Sequence, residues 1–219
     1  MQLAEPMTLM TDYALAALGV WLGLRTWRAA APGSDPRRTW AAAFWAVAAA
    51  AALGGSAHGF APYLSASAAS LLWRATMLAI GLTSGLLLWA AARAVAPRGR
   101  RALALLGWAI VAEVAAYGVW VCAVDDDFSA AVLQYGGAMA IVLAIHLVLA
   151  ARGRRGARWI AGGIVVSFAA AAIQQAGIAP HPRFNHNDLY HVVQMVGLWL
   201  LYLGARQAPG NRPPEEYVQ

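Results

Sequence analysis

Lysine is absent from the 219 residues, so all 16 basic residues are arginine. A retinal Schiff base needs a lysine amine, so the chain is not a rhodopsin whatever its helix count. Cysteine occurs once, at Cys122, which excludes an internal disulfide and leaves the redox compartment open. Charge is scarce as well: 12% of the residues are charged, against 61% hydrophobic. Long polar stretches are missing, which leaves no room for a separate soluble domain. The net charge of +6 does not point to nucleic acid, because the arginines sit in short segments between apolar runs, where they set topology. No basic segment leads the first apolar run, and Glu5 and Asp12 precede or enter it. It therefore reads as a retained helix rather than a signal peptide.

What is present is a series of apolar runs of membrane-spanning length. They predict spans at about 9–27, 39–60, 68–95, 102–124, 128–151, 159–178 and 187–205. The expected fold is all-α and integral to a membrane. Residues 1–206 form one seven-helix bundle, and residues 207–219, rich in Pro, Glu and Arg, form a disordered cytoplasmic tail. Arginine-only, alanine-rich usage suggests a GC-rich bacterial genome, hence a multi-pass protein of a bacterial inner membrane.

Arginine also sets the orientation. Fourteen of the 16 lie in alternate loops and the tail: Arg25, Arg28, Arg37 and Arg38, then Arg93, Arg98, Arg100 and Arg101, then Arg152, Arg154, Arg155 and Arg158, then Arg206 and Arg212. The positive-inside rule then places the N-terminus outside and the C-terminus in the cytoplasm. With that orientation, most intramembrane polar residues share one depth. Asp12, Ser56, His58, Gln134, Gln174, His186, Asp188, His191 and Gln194 all fall in the outer half, and Arg74 lies about two turns into span 3. The inner half is nearly all Ala, Leu, Val, Ile and Gly, with His146 the main exception. Polar groups in lipid need partners, so such a convergence predicts a site.

The stretch from Phe184 to Gln194 is the focus of that site. His58, His186 and His191 at matching depth suit zinc, for which three protein ligands plus water is the catalytic pattern. The competing reading is histidines that merely hydrogen-bond in the headgroup region. His186 and His191 are five apart and do not share a regular helical face. Either His186 lies in an unwound segment before the helix, or Asp188 takes its place as third ligand. Asn187 or Asp188 equally suits a helix N-cap. Arg74 and Glu113 predict an ion pair inside the bundle, with a lipid phosphate or carboxylate as the alternative partner of Arg74. Gln174 and Gln194 are expected on a cavity wall or in bonds across helices. Asp125, Asp126 and Asp127 read as a solvated loop, and Gly54-Gly55 as a site of close helix packing.

Seven spans, Ser56-Ala57-His58 at the end of span 2 and a histidine cluster opening span 7 resemble the CREST superfamily of alkaline ceramidases and adiponectin-receptor-type proteins. His58-Gly59-Phe60 and the run from Phe184 to His191 also look like a group of bacterial seven-helix proteins. The resemblance implies a zinc ion held by one histidine of span 2 and two of span 7, beside a serine, on the N-terminal side of the membrane. This sequence departs from that pattern in three places: Gly54 stands four before His58, Asn187 stands four before His191, and span 3 has no acid. The function so implied is a membrane-embedded zinc hydrolase of a lipid amide or ester, with its site in the outer leaflet and a membrane lipid as substrate. His58, His186 and His191 would hold zinc, Asp12 or Asp188 would act as base, Ser56 would donate to the oxyanion, and Arg74, Gln174 and Gln194 would contact substrate. Two alternatives stand beside it: a non-enzymatic lipid- or metal-binding sensor, and a haem protein ligated by His58 and His191.

Overall fold

A computed structural model describes residues 3–33, 35–95 and 100–208. It contains seven long α-helices: α1 (Pro6–Arg28), α2 (Pro36–Phe60), α3 (Ala66–Val95), α4 (Arg100–Ala123), α5 (Phe128–Ala151), α6 (Ala157–Gln175) and α7 (His186–Ala205). A single 3₁₀ turn, Ala61–Tyr63, follows α2. The helices start where the chain supplies starts. Pro6 and Pro36 stand in the first turns of α1 and α2. Proline is preorganised there and its missing N–H is not needed. Asp35 and Asp127 cap α2 and α5 by accepting from Arg37 N and Ser129 N. Six of the helices, α1 to α6, are long and apolar enough to cross a membrane. The exception is α7, whose first six residues include His186, Asn187, Asp188 and His191.

The neighbour relations give the architecture. α1 packs on α2, α2 on α3, α3 on α5, α5 on α6, α6 on α7 and α7 back on α1. Six helices thus close into a ring. α4 stands outside it and packs chiefly against α3. Its surface is apolar and open, with Leu105 70% and Trp108 73% exposed. A soluble protein rarely leaves such a face uncovered, whereas lipid solvates it.

The two ends of the ring are built differently. The end carrying the last turns of α1, α3 and α7 and the first turns of α2 and α6 is packed solid by Leu22, Trp40, Phe44, Ala91, Ile160, Leu201 and Tyr202. At that end Arg25, Arg38 and Arg206 lie over the rings of Trp21, Trp27 and Tyr202. Arginine above aromatic rings suits a membrane–water boundary. His146 belongs to this packed end. It is buried edge-on to Trp40, with Nδ1 2.8 Å from the Val142 carbonyl. The opposite end is hollow. The tail expected to be disordered lies, from residue 209 onward, outside the described residues.

Candidate functional site

The start of α7 is fixed by its own sequence. Asn185 is the N-cap: its side chain accepts from the backbone N–H of Asn187 at 2.8 Å and of Asp188 at 3.1 Å. Asp188 answers by accepting from Asn185 N at 2.7 Å, completing a capping box. The cap is therefore Asn185, neither Asn187 nor Asp188, because the helix begins one residue earlier than its apolar pattern. The turn ahead is closed by paired backbone bonds between His181 and Phe184 and by His181 Nδ1, which accepts from Arg183 N. His186 is the first residue of the helix and not part of an unwound segment.

From this cap, α7 meets α1 in two rungs. The Thr8 hydroxyl donates to Asp188 Oδ1 at 2.9 Å, and Thr11 Oγ1 lies 2.9 Å from His191 Nδ1. Both pairs are 180 residues apart, as two parallel helices in register require. Asp12, the next residue on the same face of α1, places Oδ1 3.1 Å from His191 Nε2. Thr8, Thr11 and Asp12 have the i, i+3, i+4 spacing of one helical face. They meet Asp188 and His191, spaced i, i+3, on the other helix, and all five are buried. Gly55 of α2 makes room for the pair. A Cβ there would lie 2.6 Å from Asp12 Cβ, so the expected close packing at Gly54-Gly55 falls on the second glycine.

Beyond this seam lies a cavity of about 410 Å³ in the hollow end of the ring. All six ring helices wall it, and none of its described lining residues comes from α4. α1 gives Asp12 and Leu15, and α2 gives the stripe Val47, Ala51, Gly54 and His58. α3 contributes Trp73, Thr76, Ile80 and Thr83, and α5 contributes Phe128, Tyr135, Gly136 and Met139. α6 adds Ser167, Phe168 and Gln174, and α7 adds Asn187, Tyr190, His191 and Gln194. Gln174 donates to Asn187 Oδ1 at 3.1 Å and so ties α6 to α7 at the rim. His58 is half-buried, with Nδ1 3.3 Å from Glu5 Oε1. Gly136 faces open space, and a Cβ there would meet nothing within 4 Å.

Of the residues singled out from sequence, Asp12, His58, His191, Gln174 and Gln194 reach this one cavity. The others are placed elsewhere. Ser56 donates to the Ala52 carbonyl and bonds the Tyr13 hydroxyl at 2.9 Å, off the lining. Asp188 is spent on the cap and on Thr8. His186 is half-buried and is not a lining residue, whereas Asn187, the next residue, is. His58 and His191 thus share the cavity wall, and His186 does not join them there. Among the described residues no three His, Cys, Asp or Glu side chains stand together to hold a metal ion. His191 has both ring nitrogens engaged by α1 residues, Nδ1 with Thr11 and Nε2 with Asp12.

The expected pair of Arg74 and Glu113 is also replaced. Arg74 Nε donates to Asp126 Oδ2 at 3.0 Å, and Trp73 Nε1 to the Asp126 carbonyl at 2.8 Å. Glu113 faces outward on α4 and accepts from Gln134 Nε2 at 2.8 Å, while Gln134 Oε1 accepts from Ser84. The reason is register: with α4 outside the ring, Glu113 meets α5, and the loop before α5 folds over Arg74. The aspartate triplet thus fastens α3 and caps α5. Hydrogen bonds from the Ser129 side chain and backbone hold the Asp127 carboxyl below the usual carboxylate range. Sequence reasoning missed Thr8, Thr11, Asn185 and Tyr190. The spacing of Thr8, Thr11 and Asp12 against Asp188 and His191 was the available signal.

A protein family described as a family of unknown function (DUF6962) matches residues 7–209. The chain belongs to this family. The match takes in α1 from its second residue onward, the other six helices in full and the whole cavity. No curated protein and no solved structure matches the chain.

Proposed function

We propose that this protein is a membrane-embedded receptor for one lipid-like amphiphile, held in the outer half of the bilayer. The observation that carries the reading is the cavity. Its volume of about 410 Å³ lies within the ~300–1,000 Å³ of small-molecule sites, and its wall is mostly apolar, with Asp12, His58, Gln174, Asn187 and His191 toward one end. From His58 to Val47 along α2 it runs about 16 Å, roughly one leaflet of a ~30 Å hydrocarbon core. The apolar tail of the ligand lies toward Val47, Ile80 and Met139, and its polar end lies beside Asp12, His191 and Asn187. The arginine distribution supports an outside N-terminus, which puts the polar end on the exterior side and makes α7 a seventh crossing. Solvent extraction of the purified protein and mass spectrometry of the extract test this. One lipid class should co-purify near stoichiometry, and Gly136→Leu, which fills the cavity, should lose it. Equal lipid content in the variant would refute the reading.

A second reading, hydrolysis of a lipid amide or ester, is favoured by one observation. Asp12 and His191 form a carboxylate–imidazole pair at the cavity wall, which becomes a general base once His191 Nδ1 exchanges Thr11 for a substrate or water. The likeness to alkaline ceramidases supports the same reaction class. Product release from lipid amides and esters, lost in His191→Ala, would establish it over simple binding.

A further inference from the structure

Among the described residues that line the cavity, the acidic side chain is Asp12 and no guanidinium is present. Behind Asp12 stand Glu5, 3.3 Å from His58, and Asp188, on the same seam. Among the described residues no arginine lines the cavity, and the chain has no lysine. Arg74, one residue beyond the lining residue Trp73, is turned away to Asp126. An anionic head group would therefore enter beside carboxylates with no cation to receive it, an arrangement that rejects it. Among the described residues two imidazoles are the only titratable nitrogens on the wall, with the carboxyl groups of Asp12, Glu5 and Asp188 on the wall and behind it.

The rest of the wall suits the opposite charge. Trp73, Phe128, Tyr135, Phe168 and Tyr190 all line the cavity. Aromatic faces attract ammonium groups, and more strongly where water is excluded. Asp12 is 4% exposed and touches His191 through one oxygen. Its other oxygen makes no hydrogen bond among the described residues, so a carboxylate acceptor remains available on the wall.

We infer that the ligand is a cationic amphiphile, a protonated or quaternary amine on an apolar chain, with Asp12 as its counter-ion. The inference rests on the receptor role proposed above and adds the ligand's charge. The experiment uses the full chain in a zwitterionic detergent-free nanodisc, with octylamine, octyltrimethylammonium, octanol and octanoate at neutral pH. Binding is read from tryptophan fluorescence, since Trp73 lines the cavity. Octylamine should bind at least tenfold more tightly than octanol, and octanoate should not compete with it. A preference for octylamine over octyltrimethylammonium assigns the cation to hydrogen bonding with Asp12, and near equality assigns it to charge and the aromatic wall. Asp12→Asn should reduce the amine preference over octanol to near unity. Glu5→Gln, at the edge of the site, should weaken amine binding less. Octanol or octanoate binding as tightly as octylamine to the wild-type protein would overturn the inference and leave the receptor role standing. Failure of all four probes to bind would overturn both.

Discussion

At the scale of single residues, the seam between α1 and α7 does most to define the site. Thr8 is buried and satisfies Asp188, which in turn completes the cap of α7. Thr8→Val keeps the shape and removes the donor. It should destabilise the protein by about 1–3 kcal/mol, the cost of a buried acceptor left short of a partner. Thermal unfolding in detergent checks this, and an unchanged midpoint would show the rung to be incidental. Asp35 offers a pH test outside the helices. Burial opposes its ionisation, but the Arg37 side chain and the backbone N–H groups of Arg37 and Ala31 outweigh that and hold its pKa at about 2, below the ordinary 3.8. The folded protein therefore keeps Asp35 charged to lower pH than the unfolded chain does. Its stabilisation is complete above about pH 4 and disappears as pH falls through about 2. The stability difference between wild type and Asp35→Ala should shrink across that window. A difference constant from pH 6 to 2 would contradict the assignment.

At the scale of elements, α7 differs from the other six helices by needing a polar start inside an apolar bundle. Asn185 and Asp188 satisfy its first N–H groups and hold His191 toward the cavity. Asn185→Ala should cost about 1 kcal/mol, the usual worth of a cap, and should loosen ligand binding because His191 lies less than two turns further along the same helix. The crossing of α6 and α7 is tighter. A Cβ on Gly163 would sit 2.9 Å from the Gly197 carbonyl oxygen and from Leu201 Cγ. Backbone cannot yield there, so Gly163→Val should destabilise by about 1–3 kcal/mol. Trp108→Leu on the open face of α4 should change stability by less than about 0.5 kcal/mol. Equal effects of the two substitutions, measured by unfolding, would argue against a ring with α4 outside.

At the scale of the whole molecule, the hollow end and the packed end point to one orientation. The packed end carries the arginines over aromatic rings, and the hollow end carries the acidic seam. Reporter fusions at residues 100 and 154 should read cytoplasm, and one at residue 126 the exterior. Reversal at two of these three sites would move the cavity to the inner leaflet and take the proposed ligand source with it.

Much of this was legible in the chain. Apolar runs alone give seven helices, because a backbone in lipid has to bond to itself and the helix does so locally. The shared depth of Asp12, His58, His191, Gln174 and Gln194 along their helices follows from counting residues along those runs, since helical rise is fixed. What counting cannot give is azimuth and neighbour order. Whether His186 or Asn187 faces inward depends on where Asn185 starts the helix, a difference of about 100° per residue. Whether Glu113 meets Arg74 or Gln134 depends on α4 standing outside the ring, which no local pattern encodes. The sequence by itself determined the helices, their depth and the sign of the charge at one end. Tertiary structure decided which of those residues share a wall, because contacts between elements far apart in the chain are set by packing and not by local spacing.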